Sequence, residues 1–85
     1  MASKRFLKKQ LNALTFDVVE ECFNIQIYDA SKTEVTNALI EEVVEYRNTY
    51  VERMHQANNK KDYRPLMNEL DEKGDEFLNR LHSIG

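Results

Sequence analysis

Punctuation is what this chain has least of. Among 85 residues there are two glycines, Gly74 and Gly85, and one proline, Pro65. Glycine and proline supply most turn conformations, so so few of them leave few places to reverse direction. A sheet of many short strands is thereby excluded, and a few long helices are expected. A single cysteine, Cys22, permits no internal disulfide, which fits a reducing cytoplasm. No apolar run approaches the ~20 residues that a membrane-spanning helix requires. The first residues also lack the roughly 7–15-residue apolar core of an export signal. A cytoplasmic protein without a membrane span is the expectation.

Charge is plentiful but unevenly spread. Charged residues make up 32% of the chain and the net charge is −3. Residues 1–14 carry Lys4, Arg5, Lys8 and Lys9 with no acid, which gives +4; eight bases and fifteen acids in the remainder give −7. An acidic body does not wrap nucleic acid, whose affinity rests on many phosphate neutralisations. The basic head retains the capacity for a smaller phosphate contact. With 85 residues the chain forms one domain, near the lower end of what folds alone, so pairing with a second copy adds useful burial.

What the chain does have is helical periodicity, in three segments at about 3–29, 32–57 and 63–83. In the first, Leu7, Leu11, Leu14, Val18, Cys22 and Ile25 share one arc about 80° wide at 100° per residue. The second opens with Ser31-Lys32-Thr33-Glu34, which has the spacing of a capping box. Val35, Leu39, Val43, Tyr46, Tyr50 and Met54 then mark its core side. Asn58-Asn59-Lys60-Lys61 reads as a polar loop. Pro65 falls near the start of the third segment, where a missing amide is tolerated. The third stripe is Leu66, Leu70, Phe77, Leu81 and Ile84, flanked by Met67 and Leu78. The fold expected is all-α: an antiparallel three-helix bundle, associating as a dimer.

Two features motivate the dimer. Phe16, Val19, Phe23 and Ile27 form a second stripe opposite the first, and Ile40, Val44 and Val51 widen the apolar arc of the second segment. A helix apolar on two faces needs cover on both. The competing possibility is a kink at Thr15-Phe16-Asp17, with Thr15 capping a new helix that turns these residues inward. Gly74, in the middle of the third stripe, costs about 1 kcal/mol against alanine. Either close approach of a neighbouring helix or an interruption between Lys73 and Asp75 would account for it.

Candidate chemistry is sparse. Glu52 and His55 have the Glu-x-x-His spacing of a bundle metal site, but no second such pair exists and Glu52 projects from the polar side. Cys22 lies on the core arc beside Glu20 and Glu21, a setting for a buried thiol and not for a nucleophile. No metal and no cofactor are expected. Arg47 falls inside the apolar arc of the second segment, where a guanidinium needs a partner; Glu21 is the candidate for an interhelical ion pair. Small helical dimers include the chorismate mutases, whose sites need inward bases along the first helix, and here that segment has none after Lys9. An enzyme is not expected.

The runs Asp17-Val18-Val19-Glu20-Glu21-Cys22 and Val43-Val44-Glu45-Tyr46-Arg47-Asn48 resemble short helical proteins of bacterial genomes that have no assigned role. That resemblance implies an all-helical fold open to dimerisation and transfers no functional residues. The function expected is a small interaction or structural module that self-associates, or binds another helical protein, through Phe16, Val19, Phe23 and Ile27. The alternative is a nucleic-acid-binding regulator that contacts phosphate through Lys4, Arg5, Lys8 and Lys9.

Overall fold

In the computed structural model, which describes residues 4–57 and 60–84, the apolar stripes become three long helices. These are α1 (Lys4–Tyr28), α2 (Thr33–Gln56) and α3 (Lys60–Ile84), with a short 3-10 turn, Ala30–Lys32, between the first two. The described residues contain no strand. Helix α2 runs antiparallel to α1, and α3 returns parallel to α1. The principal extents of 45 × 18 × 14 Å describe a rod. Its radius of gyration, 14.1 Å, exceeds the roughly 12 Å of a compact 85-residue domain.

The core divides into two clusters along the rod. At one end Leu7 and Leu11 of α1 meet Tyr50, Met54 and Ala57 near the end of α2 and Leu66 and Leu70 of α3. At the other, Val18 and Cys22 meet Leu39, Val43, Phe77 and Leu81. Leu14 and Tyr46 touch both clusters and join them. Burying these side chains supplies most of the stability, at about 25 cal/mol per Å².

Several local expectations are corrected. Helix α1 runs unbroken through residue 15. The Thr15 hydroxyl donates to the Leu11 carbonyl at 2.9 Å, the back-bond of a threonine inside a helix and not that of a cap. The turn before α2 is not closed by a capping box. The carboxylate of Asp29 accepts from the Ser31 amide at 3.0 Å and its hydroxyl at 2.6 Å, so Ser31 is occupied as a donor. These two bonds hold the Asp29 carboxyl below its ordinary value. Val35 points outward, 47% exposed, and Thr36 takes the inner position. A hydroxyl is tolerated there because it donates to the Lys32 carbonyl at 2.8 Å and accepts from Gln26 Nε2 at 2.8 Å. Of the expected polar loop, Asn58 and Asn59 lie outside the described residues, while Lys60 and Lys61 are already helical. Pro65 therefore sits inside α3, one turn further in than its position in the sequence suggested.

Polar ties fix α3 against α2. Tyr50 donates its phenol hydrogen to the Leu66 carbonyl at 2.8 Å within the core. Arg53 meets both carboxylate oxygens of Glu69, at 2.8 and 2.6 Å, and Tyr46 donates to the same carboxylate at 3.1 Å. Near the other end Arg80 pairs with Glu42 at 2.6 Å, which holds the Glu42 carboxyl below its ordinary value. The Lys32 ammonium donates to the Ile84 carbonyl at 2.5 Å, placing a cation at the C-terminal end of α3 where the helix dipole favours it.

Candidate functional site

Because α1 is one continuous rod, its two apolar stripes face opposite ways. The inner one is buried; the outer one is not covered by the chain. Phe16 is 67% exposed, Phe23 51% and Ile27 79%. Val19 is half-buried and packs on the edge of the cluster around Val18 and Cys22. All four residues selected from the 3-4-4 spacing thus lie along one side of α1.

Contacts between α1 and α2 extend that side. Arg47 Nε donates to Asn12 Oδ1 at 2.9 Å, and Gln26 Nε2 donates to Asn37 Oδ1 at 2.8 Å. These two bonds set the register: residue 12 lies level with 47, and residue 26 with 37. Both lie on the flank away from α3. Between them the same flank of α2 presents Ile40, half-buried against the core, and Val44, exposed. The apolar widening of α2 and the outer stripe of α1 therefore form one two-helix face. The width of each arc is visible in the sequence; their adjacency depends on interhelical register, which no single-helix period contains.

The same register separates Arg47 from Glu21. Glu21 lies nine residues beyond Asn12, about 13 Å along a helix, and Arg47 takes the Asn12 amide oxygen instead of the glutamate. Ion pairs among the described residues include Lys32–Asp29, Arg53–Glu69, Lys73–Glu76 and Arg80–Glu42. Glu21 instead borders a shallow depression with Tyr28, Asp29 and Lys32 at the far end of α1.

Lys4, Arg5, Lys8 and Lys9 are all exposed on the first two turns of α1. Arg5, Lys8 and Lys9 continue the outer face toward the N-terminus of the helix. Because α3 is parallel to α1, exposed Arg64 lies at the same end. The acids Glu20, Glu21, Asp29, Glu34 and Glu41, exposed as well, occupy the other half of the α1–α2 pair. The rod is electrically polar along its length.

Other candidates take simpler places. Cys22 is a buried free thiol, its pKa raised by burial and then by Glu21. Glu52 and His55 are exposed on α2, and no group of three or more His, Cys, Asp or Glu suited to a metal ion occurs among the described residues. Beside Gly74 a groove of about 500 Å³ opens between α1 and α3, lined by Phe6, Leu14, Met67, Leu70 and Leu78, with Asp17, Asp71 and Asp75 around it. Helix α3 continues through Gly74. A methyl group there would meet Leu14 Cδ1 at 3.8 Å, ordinary contact, so close approach of α1 does not explain the glycine either. No helix among the described residues is long and apolar enough to cross a membrane.

Tyr46 and Tyr50 are structural. Burial, then the Glu69 carboxylate, raises the Tyr46 phenol well above its ordinary value. Tyr50 is pushed up to about 12, first by burial and then by Glu69. The sequence places both on the core side of the second segment; their shared proximity to Glu69 follows from how α3 lies against α2. Comparison with known proteins adds no relative: no protein-family model, curated protein or solved structure matches this chain.

Proposed function

We propose that this chain is a non-enzymatic interaction module of the cytoplasm, a helical bundle that self-associates through the outer face of α1. One observation carries the reading: α1 is unbroken through Thr15, which leaves Phe16, Phe23 and Ile27 exposed. With large side chains offering roughly 150–250 Å² each, these three and Val44 expose on the order of 450 Å² of mostly apolar surface. Exposed patches of this size commonly mark contact sites. The patch supplies about half of the roughly 800 Å² per partner of a standard interface, and the polar residues around it supply the rest. Doubled over two copies and taken at about 25 cal/mol per Å², complete burial of the apolar part contributes at most about 22 kcal/mol. Association costs about 4–15 kcal/mol. Side-chain ordering and imperfectly paired polar groups take a further share, and for a patch about half the size of a standard interface a dimer of micromolar-class affinity is expected.

The double variant Phe16→Glu/Phe23→Glu tests this by sedimentation. Both positions are exposed in a single chain, so the variant retains its helix content. The wild type sediments as a dimer and the variant at 10.1 kDa. A wild type and variant with the same monomeric mass end the self-association reading.

A second reading uses the other end. Lys4, Arg5, Lys8 and Lys9 are exposed, and none of them is joined to an acid by the ion pairs of the described residues. They support weak phosphate contact, with nucleic acid as the source. A gel shift at about 50 mM salt, where electrostatic binding is strong, is expected to disappear when all four become glutamate. No shift for the wild type at that salt dismisses it.

A further inference from the structure

We infer that the occupant of the α1–α2 face is a second copy of this chain lying antiparallel, so that the basic ends of the two subunits lie at opposite ends of the dimer. This rests on the self-association proposed above and adds its geometry.

Two observations carry it. First, the apolar patch is off-centre on α1. Phe16, Val19, Phe23 and Ile27 are centred between residues 21 and 22, while α1 spans Lys4–Tyr28. Overlap of two such patches is greatest when a two-fold axis passes through that centre, a closed arrangement in which each surface meets itself. Phe16 then faces Ile27 of the partner subunit, Val19 and Glu20 lie beside Phe23 of the partner subunit, and Ile40 and Val44 flank the contact. Helices α1 and α2 of both subunits make a four-helix core, with each α3 outside it.

Second, charge selects the direction. The same face carries Arg5, Lys8 and Lys9 at one end, with Glu52 of α2 level with them, and Glu20, Asp29, Glu34, Glu41 and Glu45 over the rest of its length, all exposed. A parallel pair superimposes like charges along its whole length. The antiparallel pair instead separates the two basic ends and carries Lys8 and Lys9 past the end of the partner's α1. Lys4 and Arg5 project further into solvent. Avoiding like-charge juxtaposition sets the orientation of such contacts more than their raw affinity.

The test is a pair of distance measurements on spin-labelled full-length protein. Single cysteines replace exposed Lys9 or Glu20 in a Cys22→Ala background, so that neither labelled site lies in the core. Helical rise of about 1.5 Å per residue places the two Lys9 positions about 35–40 Å apart in the antiparallel dimer. In a parallel dimer they lie about 10–20 Å apart, given axes about 8–10 Å apart. The two Glu20 positions are close in both. A long distance at residue 9 with a short one at residue 20 is the expected result. Short distances at both overturn the antiparallel geometry and leave self-association standing. Long distances at both place the contact on another face and overturn both statements, as does a monomeric mass with no dipolar signal.

Discussion

Replacing Gly74 with alanine is expected to stabilise the protein, and the size of the gain follows from the structure. Gly74 lies mid-helix in α3, and its backbone is not in the positive-φ region that favours glycine. Alanine there gains about 0.8–1.0 kcal/mol from helix propensity, because the unfolded chain loses freedom that glycine would keep. The added methyl meets Leu14 Cδ1 at 3.8 Å, a favourable contact that shields part of the groove between α1 and α3. Since Gly74 is only half-buried, burial adds less than the ~0.8 kcal/mol of a fully buried methylene. The total is about 1–1.5 kcal/mol. For a domain of this size each kcal/mol raises the Tm by about 4–8 °C. Urea and thermal unfolding followed by circular dichroism, with both proteins at one concentration to hold association constant, measure the change. Unchanged or reduced stability would refute the reasoning, because it would require α1 to lie closer to α3 than 3.8 Å allows or α3 to break at this residue.

Three further outcomes follow from the core. Tyr50→Phe removes the bond to the Leu66 carbonyl and is expected to cost about 1 kcal/mol in urea unfolding; a change within ~0.3 kcal/mol shows that this bond contributes nothing net. The raised pKa values of Tyr46 and Tyr50 stabilise the folded state below pH 10.0, the ordinary tyrosine value, and that contribution is lost as pH climbs toward about 12, since the unfolded chain releases those protons first. Tyrosinate absorbance from these two residues should rise together with loss of helical signal, and their ionisation in a fully helical protein near pH 10 contradicts the burial. Cys22, fully enclosed in the second cluster, is expected to react with thiol reagents at least about a hundredfold more slowly in the native protein than in urea, because reaction requires opening. Equal rates would place it at the surface.

The core was legible because helical period is one-dimensional information. Leu7, Leu11, Val18 and Cys22 on α1, with Leu39, Val43, Tyr50 and Met54 on α2, recur at spacings that only one face can satisfy, and all are buried. The outer stripe of α1 was legible for the same reason. What escaped depends on relations between helices or on a hydroxyl's local options. Thr36 displaces Val35 from the interior because it finds donors and acceptors in Lys32 and Gln26. Ser31 abandons its capping role because Asp29, two residues earlier, takes its hydrogen. Arg47 meets Asn12 and not Glu21 because the register of α2 on α1 is decided by packing along 25 residues, not by the charge of one. The union of the α1 stripe with Ile40 and Val44 has the same origin.

The mass of the wild-type chain in solution tests the central claim most directly. Sedimentation equilibrium over about 1–100 µM, a range that brackets a micromolar dissociation constant, should show a shift from 10.1 kDa to twice that value. A mass fixed at 10.1 kDa across the whole range would mean that Phe16, Phe23 and Ile27 remain in water, and that the outer face of α1 does not hold a second copy.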